Sequence, residues 1–139
     1  MTAAKLRSLR SSEGFRQFVL DQLEALDVRA RAMFGGTGLY SSEHFFGIIA
    51  RDHLYLKVDE TTRVRYETAK MKPFRPYPDR SGTMQYYEVP LAVLESPLDL
   101  EQWAREAVTV AKRAAEARSS TKGRRVKSTA LSSRARTRR

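Results

Sequence analysis

Between Val28 and Val58, four short runs of alternating apolar and polar residues follow one another, separated by breaks of only one or two residues. Parallel neighbours in a sheet need a crossover of a dozen residues or more, so these runs can pair only as antiparallel hairpins. In the first run, Val28, Ala30, Ala32 and Phe34 face one way and Arg29, Arg31 and Met33 the other. Gly35-Gly36 then permits positive φ and a tight reversal. Thr37–Ser41 forms the second strand, and Ser42-Glu43 the next turn. His44–Arg51, with Phe45, Phe46, Ile48 and Ile49, is apolar enough for a central strand. Asp52 marks another turn. His53–Val58 then points Leu54, Leu56 and Val58 inward and Tyr55 and Lys57 outward.

Helices flank this meander. Ser11 and Ser12 offer an N-cap, Glu13 suits the first turn, and Phe15, Phe18, Val19, Leu23 and Leu26 make one apolar stripe over 13–26. Asp59 caps a second helix over 60–69, with Val64 and Ala69 as its buried side. Pro73, Pro76 and Pro78 make 72–82 a loop, after which Thr83–Val89 reads as a fifth strand ended by Pro90. Ser96 and Pro97 start a last helix, with Asp99 three residues after the cap. Its stripe of Leu100, Trp103, Ala104, Ala107, Val110, Ala111 and Ala114 runs to about Ala117.

The order α-β-β-β-β-α-β-α predicts an α+β two-layer sandwich, a five-stranded antiparallel sheet with its helices packed on one face. The other face is expected to be open and to carry Tyr55, Lys57, Tyr86 and Glu88.

The formal net charge of +10 is unevenly placed. Residues 118–139 hold nine cations, Arg118, Lys122, Arg124, Arg125, Lys127, Arg134, Arg136, Arg138 and Arg139, and no acid. Of 26 basic residues, 17 therefore remain to face all 16 acidic ones in 1–117. Three segments follow: a flexible lead-in over 1–11, a folded domain over 12–117, and a basic tail over 118–139 too poor in apolar residues to offset its ordering entropy. The sequence has no cysteine, which excludes disulfides and thiolate metal sites and suits a reducing compartment. The polar N-terminus does not read as a secretory signal, and no apolar run approaches the ~20 residues of a membrane helix. A soluble cytoplasmic protein, away from membranes, is expected.

Met33-Phe34-Gly35-Gly36-Thr37-Gly38-Leu39-Tyr40 resembles the opening signature of the TfoX/Sxy N-terminal domain family. Leu54–Asp59, Tyr86-Tyr87-Glu88-Val89-Pro90 and Trp103-Ala104 extend the resemblance in the same order, over about 12–117. It implies an α/β sandwich on an antiparallel sheet. It also implies regulation of natural competence genes in concert with the cyclic-AMP receptor protein. Longer relatives add a separate C-terminal domain, where this sequence carries the basic tail. The family supplies no catalytic residues.

The residues themselves point the same way. Gly35-Gly36-Thr37-Gly38 could be taken for a phosphate loop, but such loops open a helix, and here a strand follows. His44 and His53 fall at opposite ends of one strand, which does not suit a metal pair. Lys57 and Glu88 can pair across the open face, either as a structural ion pair or as part of a binding site. Tyr55 and Tyr86 beside Lys57 invite comparison with a base-stacking platform, although the body is nearly neutral. No catalytic constellation and no cofactor site can be assembled.

The leading expectation is therefore a non-enzymatic regulatory or adaptor domain. Its protein partner, such as a transcription factor or an RNA polymerase component, would meet Met33, Phe34, Gly35, Gly36, Tyr55, Lys57, Tyr86 and Glu88. The tail cations would add non-specific DNA or RNA affinity, or act only as a solubilising extension. The alternatives are a small-molecule-binding or enzymatic domain using the open sheet face, and a nucleoid-associated accessory in which the tail is the functional part.

Overall fold

The structure is a computed structural model describing residues 10–33, 35–76 and 85–138, with side chains through Ser119. The elements in order are α1 (Glu13–Gln22), β1 (Val28–Met33), β2 (Gly36–Ser41), β3 (His44–Ala50), β4 (His53–Lys57), α2 (Arg63–Thr68), β5 (Tyr86–Glu88), α3 (Leu91–Leu94) and α4 (Pro97–Arg138). The five strands form one antiparallel sheet in sequence order, with β3 at its centre. The lead-in over 1–9, Phe34 and the stretch 77–84, which includes the start of the expected fifth strand, lie outside the described residues.

Local capping fixes where the first helix begins. Ser12 Oγ accepts from the Phe15 N–H at 3.1 Å. The same segment is tied to the β3–β4 turn: Ser12 N donates to Asp52 Oδ1 at 2.7 Å, and Asp52 N donates to Ser11 Oγ at 2.9 Å. That turn holds Arg51 and Asp52 at φ 51° and 61°, a left-handed pair of the kind two-residue hairpin turns require. The helix ends at Gln22, and Leu26 N bonds back to Leu23 O, so the chain leaves in a tight turn while Val19, Leu23 and Leu26 stay buried. Phe18, expected in the buried stripe, is 38% exposed.

The sheet departs from simple alternation at one place. Leu39 pairs with Gly47 and Tyr40 with Phe45, so the register slips and Phe46 is left without a strand partner. This is a β-bulge. Without it, Phe46 and Ile49 would face opposite ways; with it, both enter the helix-side core. Phe45, Ile48 and Ala50 point to the other face.

The helix-side core joins Leu39, Phe46, Ile49, Leu54 and Leu56 of the sheet to Val19 and Leu23 of α1. Leu100, Ala104, Ala107 and Ala111 complete it from α4, at the helical spacing read from the sequence. Ser96 Oγ accepts from Asp99 N at 3.3 Å, as its position before Pro97 predicts. The expected α+β sandwich with helices on one face is present.

Four expectations need correction. The reversal between β1 and β2 comes before Gly36, which already pairs with Met33; Gly35 carries a positive φ, 88°. The second helix begins at Arg63, not Glu60, which rotates its faces: Tyr66 is buried, Val64 is 57% exposed and Ala69 is exposed. The proline loop is partly structured, since Pro73 bridges Tyr87 and Phe74 N donates to Tyr86 O at 2.7 Å. Finally, the backbone of α4 stays helical to Arg138, where the sequence reading ends the helix near Ala117 and expects disorder beyond. That expectation weighed only tertiary burial. Residues 118–138 contain no proline, and their eight Arg and Lys residues favour a helix once a packed helix is there to be extended, despite Gly123 and eight Ser and Thr residues. The single turn α3 was not anticipated; Gln22 Nε2 donates to its Leu94 O at 3.0 Å.

The complete burial of Leu39 in the helix-side core predicts that Leu39→Ala costs about 2–5 kcal/mol in urea unfolding, whereas Val64→Ala, at an exposed position, changes stability by less than about 0.5 kcal/mol. Equal effects would place α2 wrongly.

Candidate functional site: the second sheet face and the cationic cleft

The sheet face away from the helices is not open. Tyr55, Lys57, Tyr86 and Glu88 do share it, as alternation predicts: Tyr55 opposes Glu88 and Lys57 opposes Tyr86. But Ile48, Ala50, Phe74 and Tyr86 form a second, smaller core there, with Phe45 and Tyr55 against it. Tyr86 is only 4% exposed. The rings pack on one another: Tyr40 on Phe45 at 5.0 Å, Phe45 on Tyr86 at 5.4 Å, and Tyr55 on Phe74 at 4.9 Å between centroids. Gly38 makes this possible, since a Cβ there would lie 3.0 Å from Phe45 Cε1 and 3.2 Å from Met33 Sδ. Burial, then the Glu88 charge, raises the Tyr55 pKa; burial raises that of Tyr86 well above the ordinary phenol value. A base-stacking platform needs free ring faces, and Phe45 and Lys57 already lie against Tyr86.

The expected Lys57–Glu88 pair does not form. Glu88 Oε2 lies 2.7 Å from His53 Nδ1, while the Lys57 ammonium sits over the Tyr86 ring, 5.0 Å from its centroid. Glu88 is diagonal to Lys57 in the register, and His53 on the far side of Tyr55 reaches it first. Of the other residues singled out from the sequence, Met33 and Gly36 close the β1–β2 hairpin, which β3 sets apart from the strand that carries Lys57. His44 pairs with Ser41 and His53 with Ala50, at opposite ends of β3. Among the described residues, no group of three or more His, Asp or Glu side chains is gathered so as to hold a metal ion.

Lys57 also belongs to a cleft that sequence reasoning did not find. It encloses about 420 Å³ between the end of β4, the segment leading into α2, and α4. Val58, Val110 and Ala114 form its apolar floor; Lys57, Arg63 and Arg113 bring positive charge, Asp59 and Glu60 negative charge, and Gln85 an amide. Strand β4 and helix α4 cross the same core, so residues 57 and 113, far apart in sequence, reach one wall-to-wall gap. A lone Lys-Val-Asp at a strand end carries no such signal by itself.

The charges in the cleft have different roles. Asp59 Oδ1 accepts from the N–H groups of Thr61 and Thr62, both at 2.9 Å, and Thr62 Oγ1 accepts from Asp59 N at 3.0 Å. The Thr62 N–H is the largest cause holding the Asp59 carboxyl below the usual value, with the Arg113 charge a smaller one. Arg63 Nε lies 3.3 Å from Glu67 Oε2. Burial, and then the charge of Arg118, lowers the Lys57 pKa. Next to the cleft, α2 is docked on α4 by Arg65, which bonds Glu106 Oε2 at 2.8 Å and lies over Trp103 at 4.6 Å, while Tyr66 meets the same indole edge-on at 4.8 Å. The side chains of Lys122, Arg124, Arg125, Lys127, Arg134, Arg136, Arg138 and Arg139 lie outside those described.

The architecture defines a class: a small α+β domain on a five-stranded antiparallel meander, with a strongly basic helical extension. Residues 20–111 match the family model of the TfoX N-terminal domain, and the chain belongs to that family. No curated protein matches the sequence. Among the described residues, no helix is long and apolar enough to cross a membrane.

The Asp59 bonds generate a pH-dependent prediction. A carboxyl whose folded pKa is depressed contributes stability above its unfolded pKa and loses it as pH falls through the folded value. Asp59→Ala should therefore cost about 1 kcal/mol at pH 7, and the gap from the parent should shrink in melts taken progressively below about pH 4. A gap independent of pH down to 2 contradicts this role.

Proposed function

We propose that the chain is a non-catalytic regulatory or adaptor domain whose folded body meets a protein partner and whose basic C-terminal stretch associates with nucleic-acid phosphates. One observation carries the reading: nine cations without an acid occupy 118–139, eight of them on a helix that leaves the folded body without a break. At 1.5 Å per residue, the 42 residues of α4 extend roughly 63 Å, well beyond the sheet they pack against. A linear array of this charge releases counterions from a polyanion regardless of its base sequence.

Binding, not catalysis, suits the body because several of its ionisable groups are engaged in holding the fold: Asp59 accepts from the Thr61 and Thr62 N–H groups, Arg63 pairs with Glu67, and His53 pairs with Glu88. Family membership supports a regulatory role, including transcription and competence control, with a transcription factor or RNA polymerase component as the protein met. The lack of cysteine suits a cytoplasmic setting. Burial of the second face moves the contact surface for that protein toward its rim and the β1–β2 hairpin.

Fluorescence anisotropy with a labelled duplex tests the nucleic-acid half. The full chain should bind at ~50 mM salt, with log K falling against log salt at a slope no steeper than about −8. A chain ending at Ala117 should lose this affinity. No binding by the full chain at ~50 mM salt, or equal affinity after truncation, would refute it.

A further inference from the structure

We infer that the cleft between β4 and α4 is a seat for a phosphate-class oxyanion, with Lys57 and Arg113 as its two cationic walls. The inference does not rest on the proposed role of the basic tail.

Three observations on the cleft lead to it. First, its charges divide into engaged and free. Asp59 is turned to the Thr61 and Thr62 N–H groups and Arg63 to Glu67. Among the described residues, Lys57, Arg113 and the Glu60 carboxylate enter no ion pair, and the Arg113 charge acts on Asp59 from beyond ion-pair distance. Second, Lys57 is half-buried and its ammonium lies over the Tyr86 ring, so its position is set before any ligand arrives. A cation held partly out of water with no counter-charge is costly, and an incoming anion relieves that cost. Third, Val58, Val110 and Ala114 line the gap, and apolar lining weakens the screening of a bound anion on that side.

The shape and donors select the ligand class. Lysine brings three rotatable donors, arginine a planar fork, and Gln85 a neutral amide, a set that suits a tetrahedral oxyanion with several acceptor oxygens. The volume of about 420 Å³ exceeds what a single phosphate fills, so the group can arrive attached to something larger. Asp59 and Glu60 repel a second negative group on their side, which confines the anion toward Lys57 and Arg113. The depressed Lys57 pKa agrees with an ammonium lacking its counter-ion, and Arg118 adds to the local positive field. The phosphate can come from a small metabolite or from a nucleic-acid backbone.

The test is NMR on the full chain, following the backbone amides of Lys57, Val58, Gln85 and Ala114 during addition of inorganic pyrophosphate. The expected result is a saturable shift confined to these amides. Lys57→Gln and Arg113→Gln should each weaken it by about tenfold or more, while Arg31→Gln, on the edge strand β1, leaves it unchanged. Arg113 is exposed, so its variant keeps the fold even if Lys57→Gln does not. A second titration with a DNA duplex separates the sources. If duplex moves the same amides and competes with pyrophosphate, the backbone supplies the phosphate. If it moves only amides of α4 beyond Arg118, a small phosphorylated molecule does. The inference is overturned if neither probe saturates these amides by about 10 mM, or if Arg113→Gln, with its fold intact, responds as the parent does.

Discussion

A one-residue slip in the β2–β3 ladder determines how this small sheet can bury both of its faces. Strand β3 carries Phe45, Phe46, Ile48 and Ile49, four large residues that strict alternation would distribute wrongly. By leaving Phe46 unpaired between Leu39–Gly47 and Tyr40–Phe45, the bulge sends Phe46 and Ile49 to the helices and Phe45 and Ile48 to the aromatic side. Gly47 permits the close approach on the core side, where a Cβ would meet Leu39 Cδ1 and Leu56 Cδ2 at 3.3 Å. Gly38 does the same on the aromatic side.

The consequences extend to the cleft. With Phe45 seated against Tyr86, the Tyr86 ring is fixed below Lys57, and its hydroxyl donates to Phe45 O at 3.4 Å. Lys57 is thereby held at the end of β4, facing the gap that α4 closes with Arg113. Beyond the gap, α4 continues into the basic stretch. Among the described side chains, Lys57, Arg113 and Arg118 bring positive charge to this end of the domain. The family assignment and the placement of these charges are independent observations.

Features set by neighbouring residues were readable in the sequence. The alternation of His53–Val58, the caps at Ser12 and Ser96, and the α4 stripe of Leu100, Ala104, Ala107 and Ala111 all appear where local periodicity places them. Features set by meetings across the fold were not. Nothing local distinguishes Phe45 from Phe46 as the residue that joins the helix core. A six-residue helix is too short to reveal its buried side, so Val64 was expected inside where Tyr66 is the residue buried. Lys57 and Glu88 were correctly put on one face, but which partner each takes depends on His53 and Tyr86 from neighbouring strand positions. The face looked open because the residue that packs into it, Phe74, arrives from a proline-rich segment that reads as loop. The cleft joins β4 to α4 across more than fifty residues of sequence, beyond the reach of any motif.

The bulge can be observed directly. Cross-strand NMR contacts in the full chain should link Leu39 to Gly47 and Tyr40 to Phe45, with Phe46 ring protons close to Leu56 or Leu100 methyls. Contacts of Tyr40 with Phe46 in an unbroken ladder, and a Phe46 ring on the Tyr86 side, would contradict the account.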